Sequence, residues 1–197
     1  MMSTPPLHLD RHGWLLPQQG VRLVPSPNYN ERPYRQAPIL LVIHNISLPP
    51  CIFGGPYIEQ LFTNTLISEE HPYFQTIAHL RVSAHFLIRR DGEIIQFVST
   101  EKRAWHAGVS HFNGMDGCND FSLGIELEGS DYTPFTDAQY HQLAALSTVL
   151  RARYPLRAVR GHEHIAPHRK TDPGPFFDWN RYRQSAHWSW RELPYLH

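Results

Sequence analysis

Histidine occurs 14 times in a chain of 197 residues, and histidine is the commonest metal ligand and the usual proton carrier near neutral pH. Most of the 14 are expected to be ordinary surface or core residues with local partners. Two places suggest more. The segment Gly161-His162-Glu163-His164-Ile165-Ala166-Pro167-His168-Arg169-Lys170-Thr171-Asp172-Pro173-Gly174 gathers three histidines, a lysine and an aspartate. Pro167, Pro173 and Gly174 predict that these side chains sit on a loop, where ligands are often held on a rigid scaffold. Far upstream, His44 closes an apolar run and is followed by Asn45. Two histidines and one carboxylate form a catalytic Zn2+ shell with the fourth position left to water. Such an ion lowers the pKa of its water to about 7 and polarises a carbonyl. Spacing alone leaves His162 and His164 as alternatives. Cys51 and Cys118 form no C-x-x-C pair, so no thiolate site is indicated, and they read as two free thiols.

Two further groups fit this chemistry. Glu126 lies on the strand face opposite Leu123, Ile125 and Leu127, where it can serve as general base toward the water. Glu128 has the same parity, so alternation does not separate the two, and an exposed, ion-paired strand glutamate is the plain alternative. Lys170, two residues before Asp172, offers a cation for an oxyanion. Its plain alternative is a solvated loop lysine.

The elements that must position these groups are partly legible. Ile39 to Ile43 is a continuous β-rich apolar run that reads as a buried central strand ending at His44. Pro56 to Ile67 carries Ile58, Leu61, Phe62 and Thr65 at helical spacing. Val82 to Ile88 and Glu93 to Val98 flank Arg89-Arg90-Asp91-Gly92, and Asp-Gly predicts a hairpin. Phe121 to Glu128 alternates as a strand. Thr136 and Gln139 form a capping box for a helix with the stripe Tyr140, Leu143, Ala144, Ser147 and Leu150, stopped by Pro155. Ala158 to Val159 reads as a last short strand leading into Gly161-His162. This irregular alternation predicts an α/β (mixed α+β) fold, a mixed sheet flanked by helices rather than a doubly wound parallel sheet.

The length predicts one domain. Residues 1–37, with Pro25, Pro27 and Pro33, read as an extended arm packed on a domain spanning 38–185, and 186–197 as a C-terminal tail. Lys plus Arg equals Asp plus Glu at 18 each, which gives no electrostatic case for nucleic acid or an acidic membrane surface. No run approaches the roughly 20 apolar residues of a membrane span, and Pro5, Pro6, His8, Asp10, Arg11 and His12 interrupt any signal core. The expectation is a soluble, cytoplasmic protein, with a monomer favoured.

The chain resembles the cytoplasmic 1,6-anhydro-N-acetylmuramyl-L-alanine amidases, within the wider zinc amidase family that includes the peptidoglycan recognition proteins. The resemblance runs from about Gly13 to about Arg183. It rests on Val24-Pro25-Ser26-Pro27, His44-Asn45-Ile46-Ser47-Leu48-Pro49-Pro50, Phe53-Gly54-Gly55-Pro56 and Ala78-His79-Leu80-Arg81-Val82-Ser83-Ala84-His85. It continues through Arg103-Ala104-Trp105-His106-Ala107-Gly108, Cys118-Asn119-Asp120-Phe121-Ser122, Gly124-Ile125-Glu126-Leu127-Glu128-Gly129 and Lys170-Thr171-Asp172-Pro173-Gly174-Pro175. The resemblance implies His44, His162 and Asp172 as zinc ligands, Glu126 as general base, Lys170 as catalytic lysine, and Asn45, Arg81 and Trp105 as substrate contacts. It implies hydrolysis of the amide between the lactyl group of muramic acid and L-alanine in a small soluble muropeptide, during peptidoglycan recycling. The alternatives are a non-catalytic binder of peptidoglycan fragments and an exported autolysin acting on polymeric wall. Two departures stand out. Gly117 stands where the family often has arginine, and Glu163-His164 replaces a more neutral pair. His164 is expected in a supporting or surface role.

Overall fold

The computed structural model describes residues 6–194. Its strands, in chain order, are β1 (Val21–Leu23), β2 (Tyr29–Asn30), β3 (Leu40–Ile46), β4 (Phe86–Ile88), β5 (Ile94–Gln96), β6 (Arg103–Ala104), β7 (His111–Phe112), β8 (Met115–Asp116), β9 (Ser122–Glu128) and β10 (Ala158–Gly161). The α-helices are α1 (Tyr57–Phe62), α2 (Pro72–Gln75), α3 (Asp137–Arg153), α4 (His162–Ile165) and α5 (Trp179–Ser185). Six strands make one sheet in the order β1-β5-β4-β9-β3-β10, parallel at every pair except β4/β5. This is the mixed sheet that the sequence predicts. The antiparallel pair is the Asp-Gly hairpin, whose Gly92 takes φ 92°.

Leu40 to Ile43 are fully buried because β3 is flanked by parallel neighbours and covered on both faces. One face of the sheet, with Leu41, Ile43, Leu123 and Ile125, packs against Leu143, Leu146 and Leu150 of α3 and Tyr182 of α5. On the other face, Leu87 and Ile95 pack against Ile58, Leu61 and Phe62 of α1 and Phe74 of α2. Helix α3 starts as predicted: Thr136 Oγ1 accepts the Gln139 backbone N–H at 3.1 Å, and the Gln139 side-chain oxygen accepts the Thr136 N–H at 3.0 Å.

Three expectations change. The helix predicted over Pro56 to Ile67 ends at Phe62, where Thr63 caps it and Asn64 turns left-handed at φ 62°. The segment after Gly161 is not all loop. Its prolines lie beyond residue 166, so His162–Ile165 closes one helical turn, and His164 Nδ1 accepts the Gly161 backbone N–H at 3.0 Å. The described part of the arm over residues 1–37 packs on the domain through a sheet strand and two core side chains, with much of its surface still exposed. Strand β1 pairs with β5, Leu7 and Leu15 are buried, and the Gln96 side chain bonds the Leu15 N–H and the Gly13 carbonyl. The tail from residue 186 is integral as far as Pro194, with Trp188 and Leu193 in the main core and Arg151 stacked 4.1 Å over the Trp188 ring.

Because Trp188 fills core volume, Trp188→Ala is expected to cost about 3–5 kcal/mol of stability, far more than the loss of a surface tail residue. Urea unfolding monitored by circular dichroism measures it. A midpoint unchanged from wild type returns residues 186–194 to a dispensable tail.

Candidate metal centre and catalytic cleft

The strands β9, β3 and β10 run parallel, and their carboxyl ends share one edge of the sheet. Open α/β sheets bind ligands at such an edge. His44 lies near the end of β3, Glu126 near the end of β9, and His162 directly follows β10. Register sets two of them side by side, since His44 pairs with Glu126 across β3/β9. Alternation then points both side chains away from the α3 face and into a cleft of about 530 Å³.

Three ligand atoms converge at the cleft floor. His44 Nδ1 lies 3.1 Å from His162 Nδ1 and 2.9 Å from Asp172 Oδ2, and His162 Nδ1 lies 3.1 Å from the same oxygen. Bonds of about 2.0–2.1 Å to a tetrahedral ion set ligand atoms about 3.3 Å apart, so this triangle needs little adjustment to hold zinc. The outer nitrogen of each histidine is also held. His44 Nε2 meets His106 Nδ1 at 2.9 Å, and His162 Nε2 lies 3.0 Å from the Ala107 carbonyl oxygen. Outer acceptors of this kind fix the tautomer that frees Nδ1 for a metal. Among the described residues, His44, His162 and Asp172 form the one group with metal-ligand geometry. His164 is outside it. Its Nδ1 is spent on the Gly161 N–H, and its ring stands edge-on to Trp179.

Electrostatics prepare the ligands. Burial pushes His44 down to about 4, so its imidazole is neutral at neutral pH. Burial works to raise the Asp172 carboxyl, but hydrogen bonds from His162 and His44 outweigh it and hold the group well below the usual carboxylate range. Glu126 moves the other way. Burial first, and then the charge of Asp172, lift its carboxyl well above the ordinary value, while Lys170 opposes them. Glu126 Oε1 sits 4.0 Å from His44 Nδ1, and Oε2 is buried without a hydrogen-bond partner.

Glu128 has the same strand parity and a different fate. Its Oε1 accepts from Arg89 at 3.0 Å and from the Gly54 N–H at 2.6 Å, and its Oε2 accepts the Arg90 N–H at 3.2 Å. That is a satisfied structural carboxylate, and Glu126 is the free one.

The other expected residues divide. Lys170 and Trp105 line the cleft, and the Trp105 indole is fixed by its N–H donating to Asn30 Oδ1 at 3.0 Å. Asn45 also lines it and donates to Asp131 Oδ1 at 2.7 Å and to the Pro173 carbonyl at 3.0 Å. Arg81 is not brought in. It is exposed, and its guanidinium lies over the Ala78, His79 and Leu80 carbonyls at 3.3–3.5 Å. Gly117 adopts φ 70° and opens the turn over Cys118–Asp120. His106, which supports His44, was not singled out as a site residue from the sequence. Its signal was present in Trp105-His106-Ala107, but nothing in local spacing ties it to a strand residue 62 positions earlier. Cys51 is exposed and Cys118 buried, and both are free thiols.

The N-acetylmuramoyl-L-alanine amidase family model matches residues 34–175. The chain is 61% identical over 173 residues to the 1,6-anhydro-N-acetylmuramyl-L-alanine amidase AmpD of Escherichia coli K12, covering 87% of this chain and 93% of that one. It superposes on a crystal structure of a selenomethionine AmpD derivative with a TM-score of 0.86 at 60% identity, covering 90% of this chain and 98% of the other. A more distant structure is the E. coli amidase AmiD in complex with anhydro-N-acetylmuramic acid-L-Ala-D-γ-Glu-L-Lys. There the TM-score is 0.56 at 26% identity, with coverage of 91% and 65%. The match spans well over half of the chain and carries the metal-ligand geometry within it, so the chain belongs to the N-acetylmuramoyl-L-alanine amidase family.

Proposed function

We propose that this chain hydrolyses the amide bond between the lactyl group of 1,6-anhydro-N-acetylmuramic acid and the L-alanine of small soluble muropeptides, in peptidoglycan recycling, with zinc held by His44, His162 and Asp172. The observation that carries this reading is the pairing of a three-ligand triangle with a buried, unpartnered carboxylate 4.0 Å away. A module that only binds fragments has no use for Glu126 in that state. A structural zinc site would close its fourth position with a protein ligand. The E. coli relative that is 61% identical carries this amidase activity in its name, and the AmiD complex holds a substrate of the same chemical class.

Zinc at this site supplies Lewis acidity, which polarises the scissile carbonyl and makes water a nucleophile near neutral pH. Glu126 takes the proton from the attacking water and returns it to the leaving alanine nitrogen, because its free carboxylate faces the ligand triangle. Lys170, on the cleft wall, provides a positive charge for the oxyanion. His106 and the Ala107 carbonyl keep the two ligand rings in place while charge shifts. Trp105, with Leu48, Ile77 and Leu80, gives the cleft an apolar wall against which the sugar and the lactyl methyl can lie.

The direct test incubates zinc-loaded protein with an anhydromuropeptide and identifies the products by mass spectrometry. Free peptide and anhydro-N-acetylmuramic acid are expected, and their loss with a strong chelator and return with zinc. Intact peptide after prolonged incubation with zinc overturns the reading. Faster release from intact sacculi than from soluble fragments assigns the activity to polymeric wall instead.

Glu126→Gln is expected to bind zinc like the wild type and to lose about 10²–10⁴-fold in turnover. Its metal-free form carries a second signature. The folded-state pKa of Glu126 is raised above the ordinary 4.5, so the fold favours the protonated acid, and that contribution is lost as pH rises through the folded value. The stability of metal-free wild type, relative to Glu126→Gln, should therefore fall as pH increases from about 4.5 upward. Thermal melts of the two proteins across that range check it. A pH-independent difference contradicts the buried-acid assignment.

A further inference from the structure

Resting on the zinc reading above, we infer that Asn119 is a positioning residue whose side-chain amide oxygen sets the orientation and tautomer of both metal-binding histidines at once. Asn119 Oδ1 accepts two consecutive backbone N–H groups, from His106 at 3.0 Å and from Ala107 at 2.8 Å. Each of those residues holds one ligand. The His106 ring takes His44 at Nε2, and the Ala107 carbonyl takes His162 at Nε2. One acceptor atom therefore stands behind both supports.

Proton bookkeeping follows from the chain of contacts. A histidine that offers Nδ1 to a metal carries its proton on Nε2. His44 Nε2–H then donates to His106 Nδ1, which leaves the His106 proton on Nε2, 3.1 Å from the Ser122 hydroxyl oxygen. His162 Nε2–H donates to the Ala107 carbonyl, which cannot donate in return. Each link has one polarity, provided that the backbone at 106 and 107 does not rotate. Two N–H bonds to a single oxygen prevent that rotation.

The surroundings are shaped for this clamp. A Cβ on Gly124 would lie 2.5 Å from His106 Cγ, so only glycine lets the ring lie against β9. Asn119 is itself anchored from the arm, where Arg32 Nη1 donates to the Asn119 and Asp120 carbonyls at 3.2 Å each. The buried turn Cys118-Asn119-Asp120 thereby acquires a role at the metal centre that its position on the far side of His106 conceals.

The test measures the zinc affinity of folded protein by competition with a chromophoric chelator. Asn119→Ala is expected to weaken zinc binding about 10- to 100-fold, the usual effect of removing an outer-shell support. Asn119→Asp, which keeps the acceptor, is expected to stay within a few-fold of wild type. If Asn119→Ala does not fold, Asn119→Ser takes its place, because its hydroxyl is too short to reach both amides. Long-range ¹H–¹⁵N spectra of the zinc-loaded proteins should show His44 and His162 protonated at Nε2. An amide that merely satisfied buried N–H groups would lower the melting temperature and leave zinc affinity alone, and that result overturns the inference. Equal weakening by Ala and Asp overturns it as well. Wild-type protein that binds no zinc overturns the metal reading itself, which separates the two failures.

Discussion

A carboxyl group buried with an unbonded oxygen is among the costlier things a fold can contain, and the cleft keeps one at Glu126. Glu126 and Glu128 stand two residues apart on the same face of β9. The fold spends an arginine and two backbone N–H groups on Glu128. It leaves Glu126 facing the ligand triangle with Oε2 unbonded. Pairing Glu126 with a nearby cation would remove the cost and also the free carboxyl that the proposed mechanism uses. Lys170 is the compromise, since it lines the same cleft and eases the charge without pairing to it.

Precision comes from where the ligands are mounted. His44 and Glu126 sit on central strands buried on both sides, and His162 begins a helical turn pinned by its own neighbour, His164. Asp172 comes from the following loop, and its backbone carbonyl accepts the Glu163 N–H at 2.9 Å, which ties the loop back to that turn. The ligands are thus carried by the least deformable parts of the domain. At the cleft rim, Tyr73 of α2 and Leu80 and Tyr132 on connecting segments are more exposed.

How much of this was legible in the sequence follows from what is local. The Leu40–Ile43 run, the Asp-Gly hairpin and the Thr136–Gln139 cap are written within a few residues, and each forms. The alternation of β9 was legible too, but its meaning was not. A polar face next to an apolar one usually signals solvent, whereas here Ser122, Gly124, Glu126 and Glu128 face His106, the cleft and Arg89. Choosing His162 over His164 needed either the family resemblance or the helical turn, which spacing did not announce. How far the arm and the tail enter the core is not legible, because Trp14-Leu15-Leu16 and Trp188 with Trp190 are short apolar groups beside prolines and polar residues, with no period to reveal a core face. His106 and Asn119 act through contacts that only the folded sheet creates.

The charge states of the cluster link the metal to the base. With His44 pushed down to about 4 and Asp172 held well below the usual carboxylate range, these two side chains already have the deprotonated form that a metal requires. Burial first, and then the charge of Asp172, raise Glu126. A dication held by His44, His162 and Asp172 would reverse that sign, because two positive charges outweigh the single charge of Asp172. It would draw the Glu126 carboxyl back toward the ionised form, the form that accepts a proton. Burial and Asp172 thus favour the protonated Glu126 carboxyl in the metal-free protein. This explains how the fold tolerates Glu126 in the metal-free protein without giving it a permanent partner.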